Sequence, residues 1–248
     1  MSSEASVAAA AGNLSFFQQL SDEALQAKLR ARDEDGRTVL HTAAGAGEPT
    51  WEGHCLALTS PSRTGQGDVV EHLLQRGASA VVDAADEEGW TPLHSASSVG
   101  DVRVVSLLLG TGADVSLCNS GARTAAHYAS SKGHSAVLKI LLDCGARTDA
   151  QDCTGSVPLH RAAAQNQVAC IKLLLAAGAA VDARDKRGAT PLLVAAQAGQ
   201  DRACIALASA GADLSAEDAD GESVRKLVPR LSAVLSAAAA GEEMDCEV

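Results

Sequence analysis

One phrase returns along this chain, and its spacing limits the fold more than any other feature. It reads DEDGRTVLHTAA from Asp33, DEEGWTPLHSAS from Asp86, NSGARTAAHYAS from Asn119, DCTGSVPLHRAA from Asp152, DKRGATPLLVAA from Asp185 and DADGESVRKLV from Asp218. Its histidine slot falls at His94, His127, His160, Leu193 and Lys226, each step being 33 residues. Leucine pairs at Leu108/Leu109, Leu141/Leu142 and Leu174/Leu175 keep one offset from that slot, and Gly112, Gly145 and Gly178 follow them. Self-similarity at a fixed period marks a stack of small units, none of which can bury its apolar face alone.

Each part of the phrase has a local meaning. Asp-x-x-Gly is turn chemistry: the carboxylate bonds its own backbone and glycine supplies a positive φ. Thr-Pro is a helix N-cap followed by proline in the first turn. The Leu-His-x-Ala-Ala stretch then predicts a short helix with one small face. Gly100, Gly133 and Gly199 close that helix, while the unit of His160 has polar residues around Gln167 there. A second helix carries the leucine pair, and a Gly-Ala pair stops it. One unit is therefore a turn and two antiparallel helices. Departures from the pattern are local: Val157 replaces the N-cap threonine, Ala125 and Ala126 replace Pro-Leu, and Gly121 sits one place early.

His41 to His94 spans 53 residues, 20 more than one period. An 18-residue insertion at 48–65, rich in Ser, Thr, Gly and Pro, accounts for most of the excess. Two further residues before Asp86 supply the rest. Loop closure grows costly only slowly with length, so a stack tolerates such a loop. The reading then divides the chain into an N-terminal cap unit (1–32), a repeat containing the insertion (33–85), and repeats at 86–118, 119–151, 152–184 and 185–217. A C-terminal cap unit (218–240) and an acidic tail (241–248) complete it. Residues 7–29 read as a helix pair without a turn, and 231–240 as the last helix.

Composition agrees with this. Alanine fills 50 of 248 positions and aromatic residues only 2%, which suits closely pressed short helices. The formal net charge of −11 argues against nucleic-acid binding. No apolar run reaches the ~20 residues of a membrane span, and the N-terminus lacks the basic start of a secretory signal. Cys55, Cys118, Cys144, Cys153, Cys170, Cys204 and Cys246 form no CxxC pair, so free thiols in a reducing cytosol or nucleus are expected. Four of the seven histidines (His41, His94, His127, His160) occupy the repeat slot, where an imidazole bonds backbone between adjacent units. His54 and Cys55 have no third ligand nearby. No phosphate loop, nucleophile elbow or HExxH is present, so neither enzymatic activity nor a cofactor or metal is expected.

The turn tips carry a charge pattern: Asp33, Glu34, Asp35, Asp86, Glu87 and Glu88 come first, then Asp152, Asp185, Lys186 and Arg187. Arg123, Lys132 and Arg161 add positive charge in the middle. Such a surface would steer a partner of complementary pattern and fix its register. Trp90 follows the turn glycine and is expected to stand exposed at a tip, as an anchor or as a cover for helix surface.

The T-P-L-H-x-A phrase at period 33 resembles the ankyrin repeat, so the expected fold is an all-α ankyrin solenoid of about seven units. Further phrases resemble gankyrin-like proteins: DEEGWTPLH from Asp86, HYASSK from His127, DAQD from Asp149 and HRAAA from His160. This likeness implies a cytoplasmic and nuclear assembly chaperone of the proteasome regulatory particle, monomeric on its own. It would bind the C-terminal domain of one base ATPase subunit through a concave face. The matching positions imply contacts through Asp35, Arg37, Glu87, Trp90, Tyr128, Lys132 and Arg161. An ankyrin adaptor or an inhibitor of cyclin-dependent kinases is the alternative.

Overall fold

A computed structural model of the chain describes residues 4–45 and 66–229, together with Ala237. The insertion at 48–65, with Trp51, His54 and Cys55, lies outside the described residues. So do the acidic tail and, apart from Ala237, the expected last helix. The chain divides into two compact units, Met1–Ser120 and Gly121–Val248.

The first unit opens with three helices, where the sequence suggests a pair: α1 (Glu4–Ala10), α2 (Leu14–Gln18) and α3 (Asp22–Arg30). Two caps explain the extra break. Asn13 accepts the Phe16 N–H at 3.2 Å and Ser21 accepts the Ala24 N–H at 3.3 Å, so each starts a new helix. Helices α4 (Val39–Gly45) and α5 (Gln66–Gln75) follow, then a 3-10 turn (Ala78–Val81), α6 (Pro92–Val99) and α7 (Val102–Gly110). Helices α1, α4 and α6 pack in sequence as one layer, and α5 packs against α7 as another. Arg76 ties the start of α3 to the end of α5 by pairing with Asp22, and Gln26 donates to the Arg76 carbonyl at 2.8 Å.

The second unit repeats the plan more regularly. Its helices are α8 (Ala125–Lys132), α9 (Ser135–Asp143), α10 (Pro158–Ala164), α11 (Val168–Ala176), α12 (Pro191–Gln197), α13 (Asp201–Ser209) and α14 (Val224–Leu227). Helix α10 packs between α8 and α12, and α11 between α9 and α13. The alanines explain how closely the first layer packs: Ala125, Ala126, Ala129, Ala162, Ala163 and Ala195 are buried at its contacts. In the second layer the first leucine of each pair, Leu141 and Leu174, is fully buried, and its neighbour is half-buried. An isolated β-bridge pairs Glu217 with Ser223.

Two helix-closing and turn positions use an unexpected residue. Ala122 holds φ 57° at the turn place where Gly89 and Gly155 stand. Asn166 holds φ 57° where Gly133 and Gly199 stand, and asparagine tolerates that region better than most side chains. Its carboxamide also accepts the Ala203 N–H at 2.9 Å, capping α13 of the next repeat.

Candidate protein-binding surface

Each Asp-x-x-Gly turn folds as a short finger ahead of the first helix of its repeat. In the finger of Asp86 the carboxylate accepts the Glu88 N–H at 3.0 Å and the Trp90 N–H at 2.8 Å, while the Asp86 N–H donates to the Trp90 carbonyl at 2.8 Å. Asp33, Asp152, Asp185 and Asp218 accept the same two amides of their own turns. Successive fingers are joined by one backbone bond. In the first unit the Glu87 N–H donates to the Asp35 carbonyl at 3.1 Å. In the second the Lys186 N–H donates to the Thr154 carbonyl at 3.0 Å. The first-position aspartates are thus the frame of the fingers, and the second and third positions form their tips.

The slot histidines lock finger to helix. His41 Nδ1 accepts the Thr38 N–H at 3.1 Å, which leaves the ring proton on Nε2 to donate to the Trp90 carbonyl at 2.8 Å. His127 does the same between Thr124 and Ser156, and His160 between Val157 and Ala189. Each of these three rings reaches the next finger, as the sequence reading expects. Burial lowers the pKa of all three against the opposing pull of these carbonyls, that of His127 to about 4. Neutral imidazole is what a bond pattern with one acceptor and one donor nitrogen requires.

Arginines brace the fingers from the side. Arg37 Nε lies 3.3 Å from Asp86 Oδ2 in the following finger. Arg123, at the equivalent turn position, lies 3.4 Å from Asp152 Oδ2. Asp152 has a second guanidinium, since Arg161 of α10 places Nε 3.0 Å from the same oxygen and also bonds it through Nη2. The Asp152 side chain is fully buried. Burial alone would raise its pKa, but the Thr154 hydroxyl, Arg161 and the Thr154 amide hold it well below the usual carboxylate range.

The seven expected contact residues fall into two sets. In the first unit Asp35 and Glu87 are exposed at finger tips. Arg37 is half-buried against Asp86 and lies 3.7 Å from Asp35. Trp90 corrects the expectation of an exposed ring: it is half-buried, its ring 6.1 Å from that of His94. The reason is local, because the amide and carbonyl of Trp90 are both tied into the finger of Asp86. In the second unit Lys132 is exposed at the end of α8, whereas Tyr128 and Arg161 are half-buried. The Tyr128 hydroxyl accepts a hydrogen bond from Arg123, and Arg161 is engaged by Asp152. Asp33, Asp86, Asp152 and Asp185, counted above with the tip charges, belong to the frame instead.

Sequence reasoning counted Asp152 and Arg123 in the charge pattern but did not place them among the contact residues. The signal was present in the equivalence of Arg37 and Arg123, each standing one finger ahead of an Asp-x-x-Gly. Among the described residues no group of three or more His, Cys, Asp or Glu side chains is placed to hold a metal. None of the described helices is long and apolar enough to cross a membrane. Cys170 and Cys204 are buried, and burial pushes both thiols up to about 11. Cys118, Cys144 and Cys153 are exposed free thiols.

A family model for three copies of the ankyrin repeat matches residues 60–152 and again 126–218. The chain belongs to the ankyrin-repeat family. The matches together cover well over half of its length, and the helical stack agrees with them. No curated protein matches closely enough to lend this ankyrin chain a narrower assignment. Ankyrin repeats make it a protein-binding scaffold, of a kind that is generally not enzymatic.

Proposed function

We propose that this ankyrin scaffold is an assembly chaperone of the proteasome regulatory-particle base. It would bind the C-terminal domain of one ATPase subunit through its finger tips and first helices, with Asp35, Arg37, Glu87, Trp90, Tyr128, Lys132 and Arg161 in contact. The observation that carries the reading is the division of labour within the fingers. The first-position aspartates hold the amides of their own turns. Turn chemistry therefore does not account for Asp35, Glu87 and Glu88 at the tips of the first unit, whereas in the second Lys186 also donates to the Cys153 carbonyl at 2.8 Å and Arg187 lies 3.9 Å from Asp185. Exposed charges that are acidic at the tips of the first unit and basic at Lys186 and Arg187 in the second suit a partner with a complementary pattern. The likeness of the phrases around Asp86, His127 and His160 to gankyrin-like proteins supports the choice of partner. The mechanism is steric: the bound scaffold, acting as a monomer in cytoplasm and nucleus, blocks premature docking of the ATPase on the core particle and leaves as the particle matures.

The test is titration calorimetry of the full chain against the purified C-terminal domain of each base ATPase. One of them is expected to bind, and Lys132→Glu is expected to weaken that binding without lowering the unfolding midpoint. Affinity capture from native lysate should then enrich base ATPases without the mature core particle. Capture of a kinase or ligase with no proteasome subunit would put the adaptor reading in its place.

A further inference from the structure

We propose that Arg123, Asp152 and Arg161 form an anion site in the second unit, built to take a carboxylate side chain from an acidic segment of the bound protein. This rests on the protein-binding reading of the chain, and not on which protein is bound. The first argument is that the arginines exceed what the finger needs. Asp152 Oδ1 already accepts the Thr154 N–H at 2.9 Å, the Thr154 hydroxyl at 2.6 Å and the Ser156 N–H at 3.1 Å. Asp218 builds the same turn with a neutral amide beside its carboxylate, that of Gln197 at 3.2 Å. Two guanidiniums on Asp152 are therefore surplus to anchoring.

The second argument is charge. Two fixed cations share one carboxylate, so the trio carries a formal charge of +1. Thr154 adds a neutral hydroxyl, its Oγ1 lying 3.2 Å from Arg161 Nη2. The third argument is access with rigidity. The Asp152 side chain is 0% exposed, whereas those of Arg161 and Arg123 keep 26% and 37%. The buried acid, held by its own finger, fixes both guanidiniums while each keeps an edge toward solvent. A carboxylate that arrives meets donors already oriented, so little side-chain freedom is lost on binding. Planar guanidinium pairs suit a planar carboxylate better than scattered lysines do.

The experiment uses the full chain, labelled with nitrogen-15, at low salt. The probe is the tripeptide Ac-Glu-Glu-Glu-NH2, with Ac-Gln-Gln-Gln-NH2 as control. The arginine Nε–Hε signals are assigned through Arg123→Gln and Arg161→Gln. Saturable shifts of the Arg123 and Arg161 signals with the glutamate peptide, and not with the glutamine peptide, are expected. Arg161→Gln should bind about tenfold more weakly, the scale of one lost charge-assisted contact. Absent shifts, or shifts shared equally by Arg147, Arg184 and Arg202, overturn the proposal, and they do so on the parent chain even if a variant fails to fold. A result in favour of the site with no ATPase bound in calorimetry would keep the site and discard the partner.

Discussion

The fingers of Asp86 and Asp152 have the same backbone and different surroundings. Each carboxylate holds two amides of its own turn. Arg37 braces Asp86, whereas Arg123 and Arg161 both converge on Asp152. The tips differ as well, with Glu87 and Glu88 on one and neutral Cys153 and Thr154 on the other. The difference teaches that the repeat pattern sets the frame of a finger but not its electrostatic character. That character comes from positions the pattern leaves open, the tip residues and the residue after the slot histidine, which is Ser95 in one repeat and Arg161 in the other.

The comparison can be broken at the carboxylates. Asp152→Asn should cost about 3–5 kcal/mol, since it strands two guanidiniums around a buried neutral amide. Asp86→Asn keeps the turn acceptor and takes one charged partner from Arg37, which still has Asp35 3.7 Å away, and should cost about 1.5–3 kcal/mol, the scale of hydrogen bonds to a charged group. Urea unfolding of the two variants side by side measures the gap. Equal losses would mean that the second arginine on Asp152 adds nothing to stability.

Acid sharpens the comparison between the slot that holds His127 and the one that holds Leu193. The fold lowers the pKa of His127 from 6.5 to about 4 by burying it, so the unfolded chain takes up the proton first. The contribution of the neutral ring is complete above pH 6.5 and is lost as pH falls from 6.5 toward 4. One such histidine gives a slope of about 1.4 kcal/mol per pH unit there, or on the order of 3 kcal/mol in all. His41 and His160 act in the same direction. Asp152, held below its ordinary value, loses its contribution only under the usual carboxylate range, so the two effects separate on the pH axis. His127→Leu copies the residue that fills the slot at 193, where Leu193 is fully buried. Whatever it does to stability at pH 7.5, it should flatten the dependence between pH 6.5 and 4.5. An unchanged slope would mean that His127 does not titrate in that window.

Much of this molecule is legible in the order of its residues. The period of 33, the Asp-x-x-Gly turns and the slot histidines place the helices, fingers and inter-repeat bonds. These follow from short-range rules repeated in register. The first 30 residues are less legible, because Asn13 and Ser21 each start a helix that apolar spacing alone does not show. The candidate surface is legible in part. Lys132, Asp35 and Glu87 are exposed where the pattern puts them. Trp90 is not, because its backbone belongs to the finger and its ring turns toward His94. The clustering around Asp152 joins residues 29 and 9 positions apart in sequence, a meeting that the stacking of one repeat on another produces.

The smallest effect concerns the two left-handed residues that are not glycine, Ala122 and Asn166. They look alike in φ and differ in what the side chain does. Alanine in this region is strained by roughly 1–2 kcal/mol. Glycine there relieves the strain but carries more freedom to lose, roughly 0.5–1 kcal/mol. Ala122→Gly should therefore stabilise the chain by about 0.5–1 kcal/mol, read as a small rise in the urea midpoint. Asn166→Gly should do the opposite. It relieves less strain, since asparagine tolerates the region, and it removes the acceptor of the Ala203 amide at the start of α13. A loss of about 1 kcal/mol is expected, the usual scale for a missing helix cap. If both variants gain stability, the Asn166 bond carries no weight and the residue is only a substitute for glycine. If the signs differ, a position that departs from the repeat pattern has become a link between consecutive repeats.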